Sequence, residues 1–306
     1  MDSIIKPFLL RAVGKDYLWG GDKLNEKYGK NIRLHPLAET WECSTHPDGV
    51  SIIDGGEFDK IPLDIHIKNH PEILGEKYTS LPVLVKLIDA KKDLSVQVHP
   101  NDEFAKRFEN QPNGKNEMWY IVDAEEDASI IYSFKDETDK QILKSAVENG
   151  TLEKYLNRIP VKKGDSFFVE AGTIHAIGAG CLIAEIQQSS NLTYRLFDYN
   201  RTDKNGNKRE LHIDKALACA GTGKPKGYDF GNHICRCDYF CVDLIGNAEF
   251  TVDEKSFEIL LCTDGNAEVI SNFGSMKIKA GQTVFLPSGC GNIKTKGDAE
   301  LLKIRA

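Results

Sequence analysis

A twelve-residue pattern occurs twice in this 306-residue chain and constrains its fold more than any other feature. GDSFFVEAGTIH at 164–175 and GQTVFLPSGCGN at 281–292 each place glycines at the first and ninth positions around a short apolar segment. Such a fixed register indicates a repeated structural unit. The second glycine permits the positive φ of a tight turn before the next strand. The copies differ at the last position, where one has His175 and the other Asn292.

Most of the remaining chain has the pattern of short strands. Segments such as LPVLVKLIDA, EMWYIVDA, CLIAEIQQ and FEILLCTDG are rich in β-branched or aromatic residues and are bounded by turn signals. Helical spacing is limited to EFAKRF after Asn101-Asp102, a stretch from Thr138 to Pro160, and RELHIDKALACAG before Gly221. The sequence therefore predicts a mainly β fold, with two jelly-roll barrels in tandem and a few short helices.

The segment GTGKPKGYDFGNH at 221–233 is rich in Gly, Lys and Pro and lacks apolar periodicity. It predicts a boundary between a first domain at 1–225, with the helices, and a smaller second domain at 226–306. The second domain has no histidine after His233, so we expect it to be a degenerate copy without metal ligands.

Charge and composition limit the partners of the chain. A net charge of -7, without a Lys/Arg-rich run, argues against nucleic acid. The N-terminal apolar patches are interrupted by Lys6, Pro7 and Arg11, which predicts neither a signal peptide nor a membrane span, and hence a cytoplasmic location. The eight scattered cysteines indicate reduced thiols. No sequence feature predicts an oligomeric state.

His233, Cys235, Cys237 and Cys241 form the one close group of cysteines with a histidine. This spacing has two interpretations, a metal site or the buried face of one strand through ICRCDYFCVDLI. We favour the strand, since buried thiols are common in protein cores.

Four polar residues of the first domain lie at strand ends. Gln97 and His99 are two apart in a strand pattern and so share a face, while Glu117 and His175 begin two further strands. Taken singly, each histidine is typical of a hydrogen-bonded structural residue. Two imidazoles, one carboxylate and one amide oxygen together predict a divalent metal site, with net positive charge to attract an oxyanion.

These motifs resemble the cupin superfamily, although Glu170 replaces the usual proline of its second motif. Over essentially the whole chain, stretches including YLWGG, AETWECSTHPDG, LSVQVHPND, GKNEMWYIVDA and GTIHAIGAG are similar to the short, class I type of mannose-6-phosphate isomerase. The resemblance implies two cupin-type barrels and an aldose-ketose isomerase that interconverts mannose 6-phosphate and fructose 6-phosphate. It also implies one Zn²⁺ per chain, held by Gln97, His99, Glu117 and His175.

The resemblance places further catalytic residues at Arg195 and Lys115. Isomerisation through a cis-enediol develops negative charge on O1 or O2, which zinc and the Arg195 guanidinium would stabilise. Lys115 is the candidate for proton transfer, and the alternative is a surface lysine in a Gly-Lys-Asn turn. Longer relatives have an aspartate where this chain has Ser190-Asn191, which puts an aspartate-based transfer in doubt.

Two residues are predicted to contact the sugar-phosphate substrate. Lys86 interrupts an apolar strand, which indicates either a side chain directed at the substrate or an edge-strand lysine whose stem packs on the surface. Ser44 is a candidate phosphate contact.

Two other functions fit the same residues. Two histidines and a carboxylate also match a non-haem iron oxygenase, but Gln97 as a fourth ligand favours zinc because it leaves fewer open positions. A sugar-binding sensor without turnover is the third possibility, since a fold does not fix a function.

Overall fold

The computed structural model describes residues 3–202 and 206–306. Residues 1, 2 and 203–205, which belong to the predicted first domain, lie outside the described residues. The helices of the described part include none with the length and apolar character needed to cross a membrane. Its strands are β1 Phe8–Arg11, β2 Val13–Lys15, β3 Glu39–Cys43, β4 Thr45–His46, β5 Gly49–Val50, β6 Ile52–Asp54, β7 Val83–Ala90, β8 Val96–Val98, β9 Glu117–Ala124, β10 Ser129–Phe134, β11 Leu156–Pro160, β12 Ser166–Val169, β13 His175–Ile177, β14 Cys181–Gln188, β15 Tyr194–Phe197, β16 Cys235–Arg236, β17 Cys241–Ile245, β18 Ala248–Val252, β19 Glu258–Asp264, β20 Asn266–Ser271, β21 Gly274–Lys279, β22 Thr283–Leu286, β23 Gly291–Gly297 and β24 Glu300–Arg305.

Helices are short and lie outside the sheets. The α-helices are α1 Lys23–Glu26, α2 Leu63–Asn69, α3 Asp102–Phe104, α4 Lys140–Glu148 and α5 Ile213–Cys219, with 3₁₀ turns at Pro71–Leu74 and Leu152–Lys154 and a π turn at Ala105–Glu109. The predicted mainly β class is confirmed.

Four sheets form two facing pairs. The N-terminal sheet pair consists of a six-stranded sheet in the order β12-β9-β14-β7-β3-β2 and a five-stranded sheet in the order β11-β10-β13-β8-β15. The C-terminal sheet pair consists of a seven-stranded sheet in the order β16-β17-β24-β19-β22-β1-β6 and a four-stranded sheet in the order β18-β23-β20-β21. A separate hairpin joins β4 to β5.

Alternation along the strands builds separate cores on the two faces of each large sheet. In β9, Trp119 and Ile121 pack inside the N-terminal pair, whereas Met118 and Tyr120 pack between the two large sheets. In the C-terminal pair, Leu260 belongs to the interior core. This period of two is the physical reason why these apolar runs form strands covered on both faces.

The N-terminal segment crosses between the pairs. Strand β1 pairs with β22 on one side and β6 on the other, so 8–11 and 52–54 belong to the sheet built mainly from residues after 225. The division into 1–225 and 226–306 stays a prediction, and these two strands precede that boundary while lying in the later sheet.

The repeat seen in the sequence has a structural counterpart. Gly164, Gly172, Gly281 and Gly289 all have positive φ, at 92°, 91°, 86° and 74°. Asn292, however, does not occupy the environment of His175, because it is exposed and its Oδ1 accepts a 2.7 Å hydrogen bond from Thr251 Oγ1 on the outer face.

Some of the helices and strands predicted from the sequence agree with the structure, and others do not. Asn101 caps α3 by accepting from Phe104 N at 2.9 Å, as its position predicts. The helix predicted from Thr138 to Pro160 is α4 alone, because the chain turns at Gly150, with φ 65°, and residues 156–160 form β11. The prediction of one strand through ICRCDYFCVDLI is wrong, since β16 and β17 pair as two antiparallel strands around a turn.

Candidate metal centre and its cavity

Three of the predicted ligands meet at one end of the N-terminal sheet pair. Glu117 begins β9, His175 begins β13, and His99 directly follows β8. Glu117 Oε2 lies 3.4 Å from His99 Nε2, and Glu117 Oε1 lies 3.5 Å from His175 Nε2. The three ligand atoms lie within 4.8 Å of one another and are buried. The strand ends therefore bring together three residues that are spread over 76 positions of the sequence, from His99 to His175.

Both imidazoles present the same nitrogen to this centre. His99 Nδ1 lies 2.8 Å from Leu192 O, and His175 Nδ1 lies 2.9 Å from Thr173 O. Because a carbonyl oxygen only accepts, each Nδ1 carries the proton and each Nε2 keeps a free lone pair. Burial and the neighbouring Lys115 lower the pKa of His99 to about 4, and burial lowers the pKa of His175. Both rings are therefore neutral, as metal ligands must be.

Glu117 is a buried carboxylate without hydrogen bonds of good geometry to either oxygen in the described part of the chain. Burial raises its pKa, but the neighbouring Lys115 ammonium group and the two imidazoles outweigh burial and hold the pKa well below its usual value. Lys115 Nζ lies 2.6 Å from Glu117 Oε2 and 3.1 Å from His99 Nε2. Two imidazole nitrogens that carry no proton and a buried carboxylate between them suit a divalent cation.

Gln97 completes the predicted ligand set. Its Cα is the cross-strand partner of His175, and its Nε2 lies 3.3 Å from His175 Nε2. The structure thus places the Gln97 amide beside the three ionisable ligands. A half turn of the amide would direct its oxygen to the same centre, since oxygen and nitrogen of an amide occupy nearly equivalent positions.

A hydrogen-bond network, called the collar below, joins the loops behind the ligands. It consists of Asp102, Gly114, Asn116, Gln188 and Tyr239. Asp102 Oδ1 accepts from Gly114 N at 2.7 Å and from Gln188 Nε2 at 2.9 Å, and Asp102 Oδ2 accepts from Tyr239 OH at 3.0 Å. Gln188 Oε1 in turn accepts from both nitrogens of Asn116, at 2.9 and 2.8 Å. The collar therefore ties the loop after His99 to the residue before Glu117, and Tyr239 links it to the C-terminal half.

The cavity beside the centre is small and strongly charged. It measures about 80 Å³. Lys86 Nζ lies 2.9 Å from Glu185 Oε1 and 3.8 Å from Glu39 Oε2, and Lys115 Nζ lies 3.8 Å from Glu185 Oε1. Burial lowers the pKa of Lys86, but Glu185 and Glu39 outweigh burial and raise it overall. The lining includes Tyr17, Glu39, Lys86, Gln97, Lys115, Glu185, Asn191, Arg195 and Arg209.

Arg195 is the predicted guanidinium of this cavity. Its Cα is the cross-strand partner of Gln97, and it forms no ion pair with a carboxylate within 3–202 and 206–306. Its Nε is buried without a hydrogen-bond partner there. Burial and the neighbouring Arg209 lower the pKa of Arg195, whereas Arg209 itself is paired with Asp198 at 2.5 Å. Arg195 thus brings an uncompensated positive charge to the cavity.

Ser44 is the predicted site residue that the structure does not bring to the cavity. It is completely buried, and its Oγ accepts from His46 N at 3.1 Å in the turn after β3. The predicted phosphate contact therefore lacks a structural basis. The hydroxyl is used to hold a local turn, which is a common role of serine.

Two carboxylates of the cavity, Glu39 and Glu185, were not predicted from the sequence. Each is hydrogen-bonded to an indole, with Trp41 Nε1 to Glu39 Oε2 at 2.8 Å and Trp119 Nε1 to Glu185 Oε2 at 3.1 Å. The signal for Glu185 was present, because a carboxylate interrupts the apolar strand CLIAEIQQ just as Lys86 interrupts its own strand. Glu39 carried no comparable signal, as it begins a strand of mixed character.

The fold and the site define a class of protein: a mainly β protein with a buried centre of two histidines and a glutamate suited to a divalent metal, beside a cationic cavity. The model of the phosphomannose isomerase type I catalytic domain matches residues 8–127, and that of the mannose-6-phosphate isomerase cupin domain matches residues 232–306. The chain belongs to the mannose-6-phosphate isomerase family.

Individual relatives agree with the family models. Mannose-6-phosphate isomerase ManA of Bacillus subtilis is 36% identical over 97% of this chain and 98% of its own length. The crystal structure of the mannose 6-phosphate isomerase from Bacillus subtilis superposes with a TM-score of 0.90 at 34% identity, covering 97% of this chain and 99% of that one. A mannose 6-phosphate isomerase bound with zinc and yttrium shares the fold, with a TM-score of 0.75 at 18% identity over 97% of this chain and 98% of its own.

Proposed function

We propose that this chain is an aldose-ketose isomerase that interconverts mannose 6-phosphate and fructose 6-phosphate at a single zinc site. Membership of the mannose-6-phosphate isomerase family supports the activity. The observation that carries the proposal at the level of residues is the buried Glu117 carboxylate, which lies within 3.5 Å of one nitrogen of each imidazole, beside the cavity that Arg195 lines. This arrangement pairs a cation site with an anion site.

His99, Glu117, His175 and Gln97 would hold the metal. When bound, a divalent ion supplies Lewis-acid polarisation of the substrate oxygens at C1 and C2. Nitrogen and oxygen ligands of this kind suit zinc, and a fold relative is bound with zinc. A fourth protein ligand in Gln97 supports zinc over the iron-oxygenase alternative.

Arg195 stabilises negative charge on the substrate. A guanidinium keeps its proton at every working pH and donates fixed parallel hydrogen bonds, so it can meet an enediolate oxygen or orient the phosphorylated chain. Because the enclosed volume is about 80 Å³, most of a hexose phosphate extends outward past Arg195 toward Arg209 and Asn191. The phosphate therefore lies at the cationic rim of the cavity.

Lys115 is the proposed proton-transfer residue. It is 4% exposed and lines the cavity, so its ammonium group can donate a proton to one substrate oxygen and take up the proton that the other oxygen releases. Lys86 is already neutralised by Glu185 and Glu39, and its role is to donate to a sugar hydroxyl rather than to hold the phosphate.

The experiment is a coupled assay for fructose 6-phosphate formed from mannose 6-phosphate, before and after chelation and after zinc is added back. Activity that disappears with chelator and returns with zinc supports both the reaction and the metal. A zinc-loaded protein without turnover contradicts the isomerase function. Activity that survives complete metal removal contradicts the zinc site alone. We further propose a cytoplasmic location, and the net charge of -7 argues against a nucleic-acid partner.

A further inference from the structure

The C-terminal sheet pair contains a counterpart of the ligand glutamate. Glu117 on β9 lies opposite Val169 on β12, and Glu258 on β19 lies opposite Leu286 on β22. Val169 and Leu286 are 117 positions apart, which is the period of the sequence repeat. Glu258 shares its strand face with Leu260, whose side chain belongs to the interior core. Glu258 therefore faces the interior of the C-terminal pair, as Glu117 faces that of the N-terminal pair.

The neighbours of this glutamate differ from those of its counterpart. Arg305 is the cross-strand partner of Glu258, at the register position that Gln187 occupies opposite Glu117. No histidine takes the place of His175, because Asn292 is turned to the outside. A carboxyl beside a guanidinium thus replaces the metal-ligand set.

Two polar atoms at this position have no partner. Glu258 is 8% exposed, and its Oε2 is buried without a hydrogen bond to any residue in 3–202 or 206–306. Arg305 Nε is likewise buried and unpaired among these residues, although Arg305 Nη2 donates to Asp243 Oδ2 at 3.0 Å. Burying a hydrogen-bond acceptor and a hydrogen-bond donor without partners costs free energy of folding, unless a ligand binds to both atoms.

Both residues line a cavity of about 450 Å³, a size within the range of small-molecule sites. Its lining includes cations and carboxylates in equal number: Lys77, Arg236 and Arg305 with Asp238, Asp253 and Glu258. An anionic ligand would meet the three carboxylates, and a metal cation would meet the guanidiniums. A neutral ligand avoids both penalties.

We propose that the C-terminal sheet pair binds a neutral, polyhydroxylated molecule of monosaccharide size, with hydroxyl groups that donate to Glu258 Oε2 and accept from Arg305 Nε. A hydroxyl group is both donor and acceptor, so a pair of neighbouring hydroxyls satisfies the two orphaned atoms together. The Tyr239 ring also lines this cavity and supplies an apolar surface for a sugar ring. The site is separate from the metal centre and does not rest on the isomerase function.

A metal site at the nearby His233, Cys241 and Asp243 is the competing interpretation, because their ligand atoms lie within 4.8 Å of one another. Asp243 is already paired with His233, with Arg305 at 3.0 Å and with Lys303 at 3.6 Å. The charges of Arg305 and Lys303 compensate the carboxylate, so we favour the neutral ligand.

The test is calorimetric titration of the whole zinc-loaded protein at pH 8 with D-mannose, myo-inositol, inorganic phosphate and calcium chloride. The wild type is compared with Glu258→Leu, which matches the apolar interior, and with Glu254→Gln, an exposed control outside the cavity. We expect a neutral polyol to bind the wild type and the control, and to bind at least tenfold more weakly to Glu258→Leu. Any sugar bound at the metal centre is retained in that variant, which separates the two sites.

If Glu258→Leu does not fold, Glu258→Gln takes its place. We expect binding at least threefold weaker, because an amide oxygen is a weaker acceptor than a carboxylate. Polyol binding that is unchanged by the substitution overturns the proposal, as does the absence of polyol binding to the wild type at 100 mM, a concentration about 100-fold above a millimolar Kd. Phosphate or calcium binding that depends on Glu258 overturns the assigned ligand class.

Discussion

Lys115 Nζ and Glu117 Oε2 are 2.6 Å apart, with both side chains almost completely buried. The ammonium group therefore lies beside the position that a cation bound by Glu117 and His99 would take, and its charge compensates that of the carboxylate. A metal ion must compete with this charge.

The competition predicts opposite effects of Lys115→Met on affinity and activity. We expect zinc to bind about tenfold more tightly, because a like charge is removed from the site, while kcat falls by about 10²-fold or more with the loss of the proton carrier. Zinc affinity is measured by competition with a chromophoric chelator. Lys296→Met, at an exposed lysine, is the control. Unchanged zinc affinity would contradict the assigned position of the ammonium group.

Arg195→Ala is expected to lower kcat by about 10²- to 10³-fold, the usual effect of removing one charge-stabilising donor. Substrate binding, measured separately by calorimetry, should weaken much less if the guanidinium acts on the transition state. Arg33→Ala removes an exposed guanidinium and should leave both quantities unchanged. Lost binding in a protein without measurable turnover would instead favour a sugar-phosphate sensor.

The collar behind the ligands predicts a role for Asp102 in metal binding. Asp102→Ala frees the loop that follows His99, and we expect zinc affinity to fall by about 10- to 100-fold, as for other supporting residues of metal sites. Tyr239→Phe removes one of the three bonds and should have a smaller effect in the same direction.

The absorption spectrum of the cobalt-substituted protein reports ligand geometry independently of activity. A cobalt spectrum identical to that of the wild type in Asp102→Ala would show that the collar does not position the ligands. Asp136→Ala, at an exposed aspartate, is the matched control.

Lys86→Met is expected to destabilise the fold, because Glu39 and Glu185 would remain buried without their shared cation. Removing one partner of a buried pair costs about 3–5 kcal/mol in the free energy of unfolding. The double variant Lys86→Met/Glu185→Gln should recover part of this loss, since the remaining charge is halved. Urea unfolding measures both, and a stability equal to that of the wild type would show that the pair is solvated in solution.

The raised pKa of Glu258 predicts that the free energy of unfolding falls as pH rises. Burial raises the pKa of Glu258 to about 7, with Asp243 and Asp253 acting in the same direction and Lys303 and Arg305 opposing it. The folded chain therefore holds this proton up to about pH 7, whereas the unfolded chain releases it near pH 4.5. Between these values the folded state binds more protons, so its stability decreases with increasing pH by up to about 3 kcal/mol.

Glu258→Gln should remove this dependence. We expect the variant and the wild type to be similar in stability near pH 4.5, and the variant to be more stable above pH 7. Urea unfolding at both pH values is the measurement. Parallel pH profiles for the two proteins would contradict a raised pKa in the folded state.

The sequence by itself determined the strand-rich class, the repeat period and the residue types of the candidate metal centre. Alternation with a period of two and glycines at positive-φ turns are local properties, and they are readable without a fold. The chemistry of Gln97, His99, Glu117 and His175 is intrinsic to their side chains, so their ligand character could be inferred from spacing and type. The resemblance to a family added the substrate class.

Tertiary structure decided which groups meet and which are compensated. Sequence spacing could not show that Lys86 is neutralised by Glu185 across paired strands, that Ser44 holds a turn, or that β1 completes the sheet of the C-terminal half. The same register that equates Glu117 with Glu258 gives one carboxylate two imidazole neighbours and the other a guanidinium. The reason is physical: a side chain's charge and function depend on partners that only long-range strand pairing brings within hydrogen-bond distance.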